Sequence, residues 1–509
     1  MLIQLIISVA IFIVVASGHE VKDYAEYKCS LCINSLQYMQ SNMPIIIGKP
    51  FDMASACILS FNNNDNVNEL SHHACKSVEG NMIDTTPKGD PRTHCISMNL
   101  CPGAEENSYE KIKSESNLDF KITKALGSKG YSKVKVTVIS NSTIDDSNDI
   151  FQYQQQFKYR WTDNFLNSGV IDVEEGQNTI TILGQQININ LPVKGDGVRG
   201  IILSDPCFQS NWITCKYKDT FKMFSSLTGV LNAAFEHEDL SFYQILGDNF
   251  YDQQGEYTKQ FFASLNPSTK QKLFLSILGN HDFWVNGSPS LISKDDQLGN
   301  GFMQYYGQDA MASKSSSEGY DFSINPDTMK LPPASNFFTY NQVGNIGFMA
   351  FSGAHPYDEN KPYFDEACAW AADESISLLF LEGHWNGEGD GATDGAVPEV
   401  FTKLKEIPSC SNVYSKIRYF DGHKHCNYVQ QKDVGFMVGG NGMSDKTCAE
   451  WGLAVIDTTN DKFQIQYFQL ATADSNPVNN YDKVIDCINQ NGGISNCYDL
   501  ATTWVNTPI

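Results

Sequence analysis

Three patterns of apolar positions divide the chain. In "CSLCINSLQYM", Cys29, Cys32, Ile33, Leu36 and Met39 fall on one helical face, so the N-terminal part reads as helical. Across residues 130–195 the pattern changes to strand-like alternation. "KVKVTVIS" and "NTITILGQQININL" are rich in Val, Ile and Thr and read as a small β-rich segment that packs on the next domain. From about residue 197, short apolar runs recur and each ends in a polar motif: "GIILSD", "FYQILGDNFY", "KLFLSILGNHD", "SLLFLEGH" and "IRYFDGHKH". Between the first two, Phe221, Phe224, Leu227, Val230, Leu231 and Phe235 stand near helical spacing, which gives a strand–helix–strand unit. Further strands are expected at "NIGFMAFSG", "GFMVGG", "GLAVID" and "FQIQYFQL". The expected architecture is α/β: sheets packed together and flanked by helices, with polar residues at strand ends, where such folds build their sites.

A chain of 509 residues implies two or more folded units. Residues 1–18 are apolar, end in small residues and read as a secretory signal peptide, with a membrane anchor as the alternative. A cysteine-rich module follows at 25–103, then a polar, charged linker at 104–129 and the β-rich segment at 130–195. The α/β domain spans 196–475, and a disulfide-stapled tail spans 476–509.

Net charge is −23 and the pI about 4.7, an acidic balance that argues against nucleic acid or anionic membranes as partners. Fourteen cysteines, an even number, imply disulfides and a secreted or lysosomal life. Sequence order suggests Cys368–Cys410, Cys426–Cys448 and Cys487–Cys497. Asn141 in "NST" and Asn286 in "NGS" are glycosylation acceptors by pattern.

The polar motifs carry the chemistry. A pair of metal ions needs hard oxygen and imidazole donors, and one carboxylate to bridge them. The chain supplies Asp205, then Asp248 and Tyr251 in "GDNFY", Asn280 and His281 in "GNHD", His384 in "EGHW", and His423 and His425 in "GHKH". Glycine precedes all but the first motif, where it would let the chain turn off a strand and aim the next side chain inward. His355 and His237 match no such motif and read as structural and surface residues.

In this order the motifs of residues 197–475 resemble the calcineurin-like metallophosphoesterases, and within them the purple acid phosphatases, especially the tartrate-resistant type. That resemblance implies a β-sandwich flanked by helices (α/β/β/α) and an acid-phosphatase-like hydrolysis of phosphomonoesters by a metal-bound hydroxide. It assigns Asp205, Asp248, Tyr251 and His425 to one ion, and Asp248, Asn280, His384 and His423 to the other. Fe(III) paired with Zn, Fe or Mn(II) would then be the cofactor, because phenolate suits a hard trivalent ion that acidifies water strongly. His281 would steady developing charge or protonate the leaving oxygen. Many relatives place a histidine two residues after the first Asp. Here that position is Cys207, and the tyrosine that purple acid phosphatases use instead is present as Tyr251. Cys207 is open to a thiolate-ligand reading, but a disulfide to Cys215 fits the compartment better. One departure stands out: no histidine follows His384 in "GHWNGEGDGATDG", which leaves Glu388 or Asp390 as substitutes near the leaving group.

The front cysteines, C-x2-C at the start and C-x5-C at the end, resemble a saposin B-type domain, a small all-helical lipid-handling module. The resemblance implies the pairs Cys29–Cys101, Cys32–Cys95 and Cys57–Cys75. A saposin-like module ahead of a metallophosphoesterase also resembles acid sphingomyelinases. A phosphodiesterase acting on lipid presented by that module is therefore the alternative function, and a catalytically inactive lipid-binding protein is the second alternative.

Overall fold

Each apolar run from residue 199 onward becomes a strand buried on both faces, as short continuous runs of Val, Ile, Leu and Phe require when helices cover a parallel sheet. The computed structural model describes residues 119–124, 131–140, 153–158, 165–182, 185–208, 215–238, 240–251, 256–282, 337–373, 375–387, 392–442, 448–473 and 477–509, with 51–52, 82–83, 95 and 334. Residues 1–18, expected as a signal peptide, the expected pairs Cys29–Cys101 and Cys57–Cys75, Asn141, Asn286, Glu388 and Asp390 lie outside the described residues.

The chain forms two compact units, one of Met1–Ser116 with Ser210–Thr214, the other of Asn117–Gln209 with Cys215–Ile509. In the first, Cys95 is buried and disulfide-bonded. A short antiparallel pair, β1 (Phe51–Asp52) with β2 (Met82–Ile83), departs from the all-helical expectation.

The second unit runs through β3 (Asp119–Lys124), β4 (Lys133–Ser140), β5 (Tyr153–Lys158), β6 (Phe165–Asp172), β7 (Gly176–Ile182), β8 (Gln185–Leu191), β9 (Arg199–Leu203), β10 (Phe242–Leu246) and β11 (Leu273–Ile277). It continues with β12 (Thr339–Val343), β13 (Ile346–Ala350), β14 (Leu378–Glu382), β15 (Ile417–Asp421), β16 (Asn427–Gln431), β17 (Gly435–Val438), β18 (Glu450–Asp457), β19 (Lys462–Thr472) and β20 (Thr502–Pro508). Ten strands form one sheet in the order β20-β19-β18-β9-β10-β11-β3-β4-β6-β5, and six form a second in the order β12-β13-β14-β15-β17-β16. The centres of both are parallel: β9, β10 and β11 in the first, β13, β14, β15 and β17 in the second.

Two boundaries differ from the sequence reading. β3 lies within 104–129, read as a linker, yet it pairs with β11. Through it β4, β6 and β5 extend the first sheet, and among the described residues of the β-rich segment the β7–β8 hairpin pairs separately. β20, in the segment read as a tail, pairs antiparallel with β19. The reason is the same at both places: an unpaired strand edge exposes backbone donors and acceptors, and a distant stretch of the chain covers it.

Three apolar cores give four layers. Ile202, Phe242 and Leu246 of the first sheet meet Phe348, Phe380 and Phe420 of the second between the sheets. Ile201, Tyr243 and Val455 face outward onto the helices Met223–His237 and Tyr481–Asn491. Met349, Leu379 and Leu381 face outward onto the helices Tyr357–Trp370 and Val397–Lys403. Neighbours along a strand thus go to opposite cores, the period of two expected for a pleated strand. The helix predicted from Phe221 to Phe235 is the one at Met223–His237, with Leu227, Val230, Leu231 and Phe235 buried. Disulfides join Cys207–Cys215, Cys368–Cys410, Cys426–Cys448 and Cys487–Cys497.

One polar pair interrupts the apolar interior between the sheets. Gln244 of β10 donates from Nε2 to Glu382 Oε2 at the end of β14, and both side chains are fully buried. Burial pushes the Glu382 carboxyl from its ordinary 4.5 up to about 8, against the hydrogen bond from Gln244. The folded state therefore keeps a proton that the unfolded chain releases between these values. Raising pH from 5 to 8 should lower stability, at up to ~1.4 kcal/mol per pH unit. Thermal melts of the chelated protein should show a smaller loss over this range for Glu382→Gln than for wild type. Equal slopes would mean that Glu382 is ionised in the fold.

Candidate metal centre

Parallel strands deliver their C-terminal ends to one edge, and the marked residues sit just beyond those ends. Asp205 follows β9, Asp248 and Tyr251 follow β10, and Asn280 opens a 3-10 turn at Asn280–Asp282 after β11. From the other sheet, His384 follows β14, and His423 and His425 follow β15. The structure brings all of them into one cluster, with His281 beside it.

The backbone there is strained. Among the described residues ten non-glycine positions have positive φ, and six of them are Asp205, Asp248, Phe250, Tyr251, His423 and His425. Each such position costs of order 1–3 kcal/mol and persists only where its surroundings hold it, as at functional sites. The motif glycines act differently from the expected turn. Only Gly247 has a positive φ, of 91°. At Gly279 a Cβ would collide with Asp248, so that glycine serves close approach of the two loops.

Two groups of donor atoms form around Asp248. In the first, the Tyr251 hydroxyl donates to Asp205 Oδ1 at 3.0 Å and lies 3.1 Å from His425 Nε2, which is 3.5 Å from Asp205 Oδ1. In the second, His384 Nε2 lies 3.3 Å from Asp248 Oδ2 and 3.1 Å from Asn280 Oδ1, and His423 Nδ1 is also 3.1 Å from Asn280 Oδ1. Asp205, Asp248 and His384 are all fully buried. Backbone N–H groups hold the carboxylates: His281 donates to Asp248 Oδ1 at 2.8 Å, and His423 to Asp205 Oδ2 at 3.0 Å.

The donor chemistry fits cations. His384 donates from Nδ1 to the carbonyl of Leu246 at 2.8 Å, so the neutral ring turns the Nε2 lone pair toward the oxygens of Asn280 and Asp248. Asp248 Oδ2 is buried and, among the described residues, accepts no hydrogen bond. Lone pairs facing one another in a dry site repel unless a proton or a metal lies between them. Donors on one ion with bonds near 2.1 Å sit roughly 3.0–3.4 Å apart, close to the spacings observed. Among the described residues no lysine or arginine pairs with Asp205 or Asp248; only imidazoles do.

The titrations of the side chains alone point the same way. Burial opposes charge on His384, but Asp248 and Asp205 outweigh it and raise the imidazole to about 10. Burial raises Asp205. It also opposes charge on Asp248, where His384 and His281 outweigh it and hold the carboxyl below its ordinary range. Burial, then Asp205 and Asp248, raise the Tyr251 phenol well above 10. A tyrosinate here therefore needs a cation of its own. Burial lowers His425, which favours the neutral imidazole that a metal requires.

Cys207 is tied to Cys215, so it is no thiolate ligand. His355 is buried against Phe337, and His237 is exposed at a helix end, both away from the cluster's bonds. The sequence reading did not single out several supporting groups. Asp282 accepts from the backbone of Asn249 and Gly279 and from Asn249 Nδ2, clipping two motif loops together, and burial raises it to about 7. Asn249 and Asp282 lie inside flagged motifs, which was the available signal. Asn386, Asp421 and Gln430 form another bonded group. Burial raises Asp421 to about 7, against hydrogen bonds from Gln430 and Asn386. Only the position of Asp421 directly before "GHKH" could have marked it.

No family model matches the chain, and no curated protein matches it. Among solved structures, it is similar to a purple acid phosphatase, PPD1, from yellow lupin seeds (Lupinus luteus), at 11% identity and a TM-score of 0.44, covering 69% of this chain and 72% of that one. It is also similar to a predicted phosphoesterase from Streptococcus pneumoniae (10% identity, TM-score 0.21, covering 54% and 90%) and to Vps29 from Entamoeba histolytica (8%, 0.23, covering 55% and 96%). At these TM-scores the likenesses carry none of the reading that follows, which stands on the side-chain geometry.

If the cluster holds cations, zinc or manganese added to chelated protein should raise its melting temperature, by mass action on the folded state. The gain is about 4 kcal/mol when free metal exceeds Kd a thousandfold. His384→Ala should lose most of this rise. A wild type that melts identically with and without either ion would exclude a metal centre.

Proposed function

We propose that the chain is a phosphoesterase with two metal ions, acting on phosphomonoesters in the manner of acid phosphatases. Asp205, Asp248, Tyr251 and His425 hold one ion, and Asp248, Asn280, His384 and His423 hold the other, with Asp248 shared. The observation that carries this reading is the triangle of the Tyr251 hydroxyl, Asp205 Oδ1 and His425 Nε2, with edges of 3.0, 3.1 and 3.5 Å, beside a Cys207 committed to a disulfide. When bound, two such ions withdraw charge from phosphoryl oxygens and acidify water. Fe(III) suits the tyrosine site, and Zn, Fe or Mn(II) the other.

The remaining roles belong to the chain's own groups. Buried Asp205 and Asp248 repel an anionic ester until cations offset them, so substrate binding depends on a loaded site. The Tyr251 proton, held toward Asp205 Oδ1, must leave for the phenolate to act as a donor. His281 has its backbone anchored on Asp248 and its ring 5.0 Å from that of Tyr251, at the edge of the cluster. From there an imidazole N–H donates to the leaving oxygen. The disulfides support a secreted or lysosomal location, since such bonds persist in oxidising compartments. Lipid presentation by residues 25–103 is the further possibility that an assay on lipid addresses.

The first test is phosphate release from p-nitrophenyl phosphate beside choline phosphate release from sphingomyelin vesicles, across pH. The expected result is activity on the first. Activity on sphingomyelin alone would favour the phosphodiesterase, and activity on neither, with metals bound, the binding protein. Purified protein should be violet to purple from phenolate-to-iron charge transfer, and Tyr251→Phe should be colourless. A colourless, fully active wild type carrying zinc or manganese in both sites would remove the ferric assignment. His281→Ala should keep both metals and slow turnover by about 10²–10⁴-fold. Loss of metal in that variant would make His281 a structural residue.

A further inference from the structure

Asp421 ends β15 with its carboxylate fully buried, yet among the described residues no lysine or arginine pairs with it. Its partners are two carboxamides. Asn386 donates from Nδ2 to Asp421 Oδ2 at 2.9 Å and to Gln430 Oε1 at 2.6 Å, and Gln430 donates from Nε2 to Asp421 Oδ1. The three side chains therefore bond pairwise in a closed ring. Lys424 and His384 act on Asp421 through their field and not through a bond, and burying an acid on carboxamides alone is costly where an apolar residue would pack at less expense. Breaches of this kind concentrate where function requires them.

The ring joins three chain segments at a particular place. Asn386 stands two residues after His384, Asp421 two residues before His423, and Gln430 on the edge strand β16. Backbone bonds add to the tie: Gly422 donates to the carbonyl of His384 at 3.0 Å. The two imidazoles, with ring centroids 5.2 Å apart, both reach Asn280 Oδ1 at 3.1 Å. We infer that Asp421 is a positioning residue: the Asn386–Asp421–Gln430 ring holds the loops of His384 and His423 at the spacing at which both imidazoles can serve one ion. The inference rests on the metal-centre reading above. It assigns Asp421 the geometry of its oxygens as its contribution, and no contact with substrate.

Full-length wild type, Asp421→Ala and Asp421→Asn would be titrated with zinc against a chromophoric chelator. Each would also be melted in EDTA and assayed on p-nitrophenyl phosphate. Asp421→Ala should bind one of two zinc equivalents about 10–100-fold more weakly, the usual effect of removing a group that orients a ligand. Its kcat should fall with KM within about twofold of wild type, because substrate binding is not what the ring serves. Asp421→Asn should recover most of both, since Asn386 and Gln430 can turn their amides to satisfy it. Zinc affinity of Asp421→Ala equal to wild type, or an Asn variant no better than Ala, would overturn the inference. If Asp421→Ala fails to fold, Gln430→Ala removes one arm from the half-exposed edge strand. It should weaken zinc by a smaller factor, and unchanged affinity there overturns the inference as well. A wild type that takes up no zinc defeats the metal-centre reading itself, and this inference with it.

Discussion

Two carboxylates share a dry site where, among the described residues, imidazoles but no lysine or arginine pair with them, and the rest of this edge is arranged around that fact. Asp205 and Asp248 are both fully buried, and the charges nearest them are imidazoles that turn lone pairs or protons toward them. A fold keeps so unfavourable a grouping only if a proton or a cation offsets it, since an unpaired buried charge costs several kcal/mol. The negative field of these carboxylates raises the imidazole of His384, and adds to burial, the larger cause, in raising the phenol of Tyr251.

Holding such donors together takes rigidity from both sheets. Asp205, Asp248, Tyr251 and Asn280 come from the ten-stranded sheet, and His384, His423 and His425 come from the six-stranded one. Each half is useless without the other, so contacts between the sheets set the site's dimensions. His384 Nδ1 donates across to Leu246, Gln244 to Glu382, and the backbone of Ser204 to the carbonyl of Val438. These bonds lie at or just below the donor atoms. Two disulfides brace the same edge, Cys207–Cys215 two residues from Asp205 and Cys426–Cys448 next to His425. Left-handed backbone at five of the eight marked residues is tolerable because these ties leave the loops little alternative.

The sequence by itself determined the strands of the apolar and alternating runs, the helix at Met223–His237 and the order of the polar motifs, but not β12 and β16. Each is a local signal, a run or a period read within some ten residues, and continuous apolar runs ending in Gly-Asp, Gly-Asn-His and Gly-His have few structural readings. It marked the residues that meet at the edge, through Asp, Asn and His donors at strand ends and, for Tyr251, through the resemblance of the motif order to a known family. It did not show that 119–124 and 502–508 complete the large sheet, since which free edge a strand covers depends on partners far away in the chain. Nor did it reveal Glu382, Gln244, Asn386, Asp421 and Gln430, whose types are ordinary on a surface and become informative only once they are found buried and bonded. The tertiary structure alone decided which nitrogen of His384 faces the oxygens, because the Leu246 carbonyl that takes the other proton lies 138 residues away and on the opposite sheet.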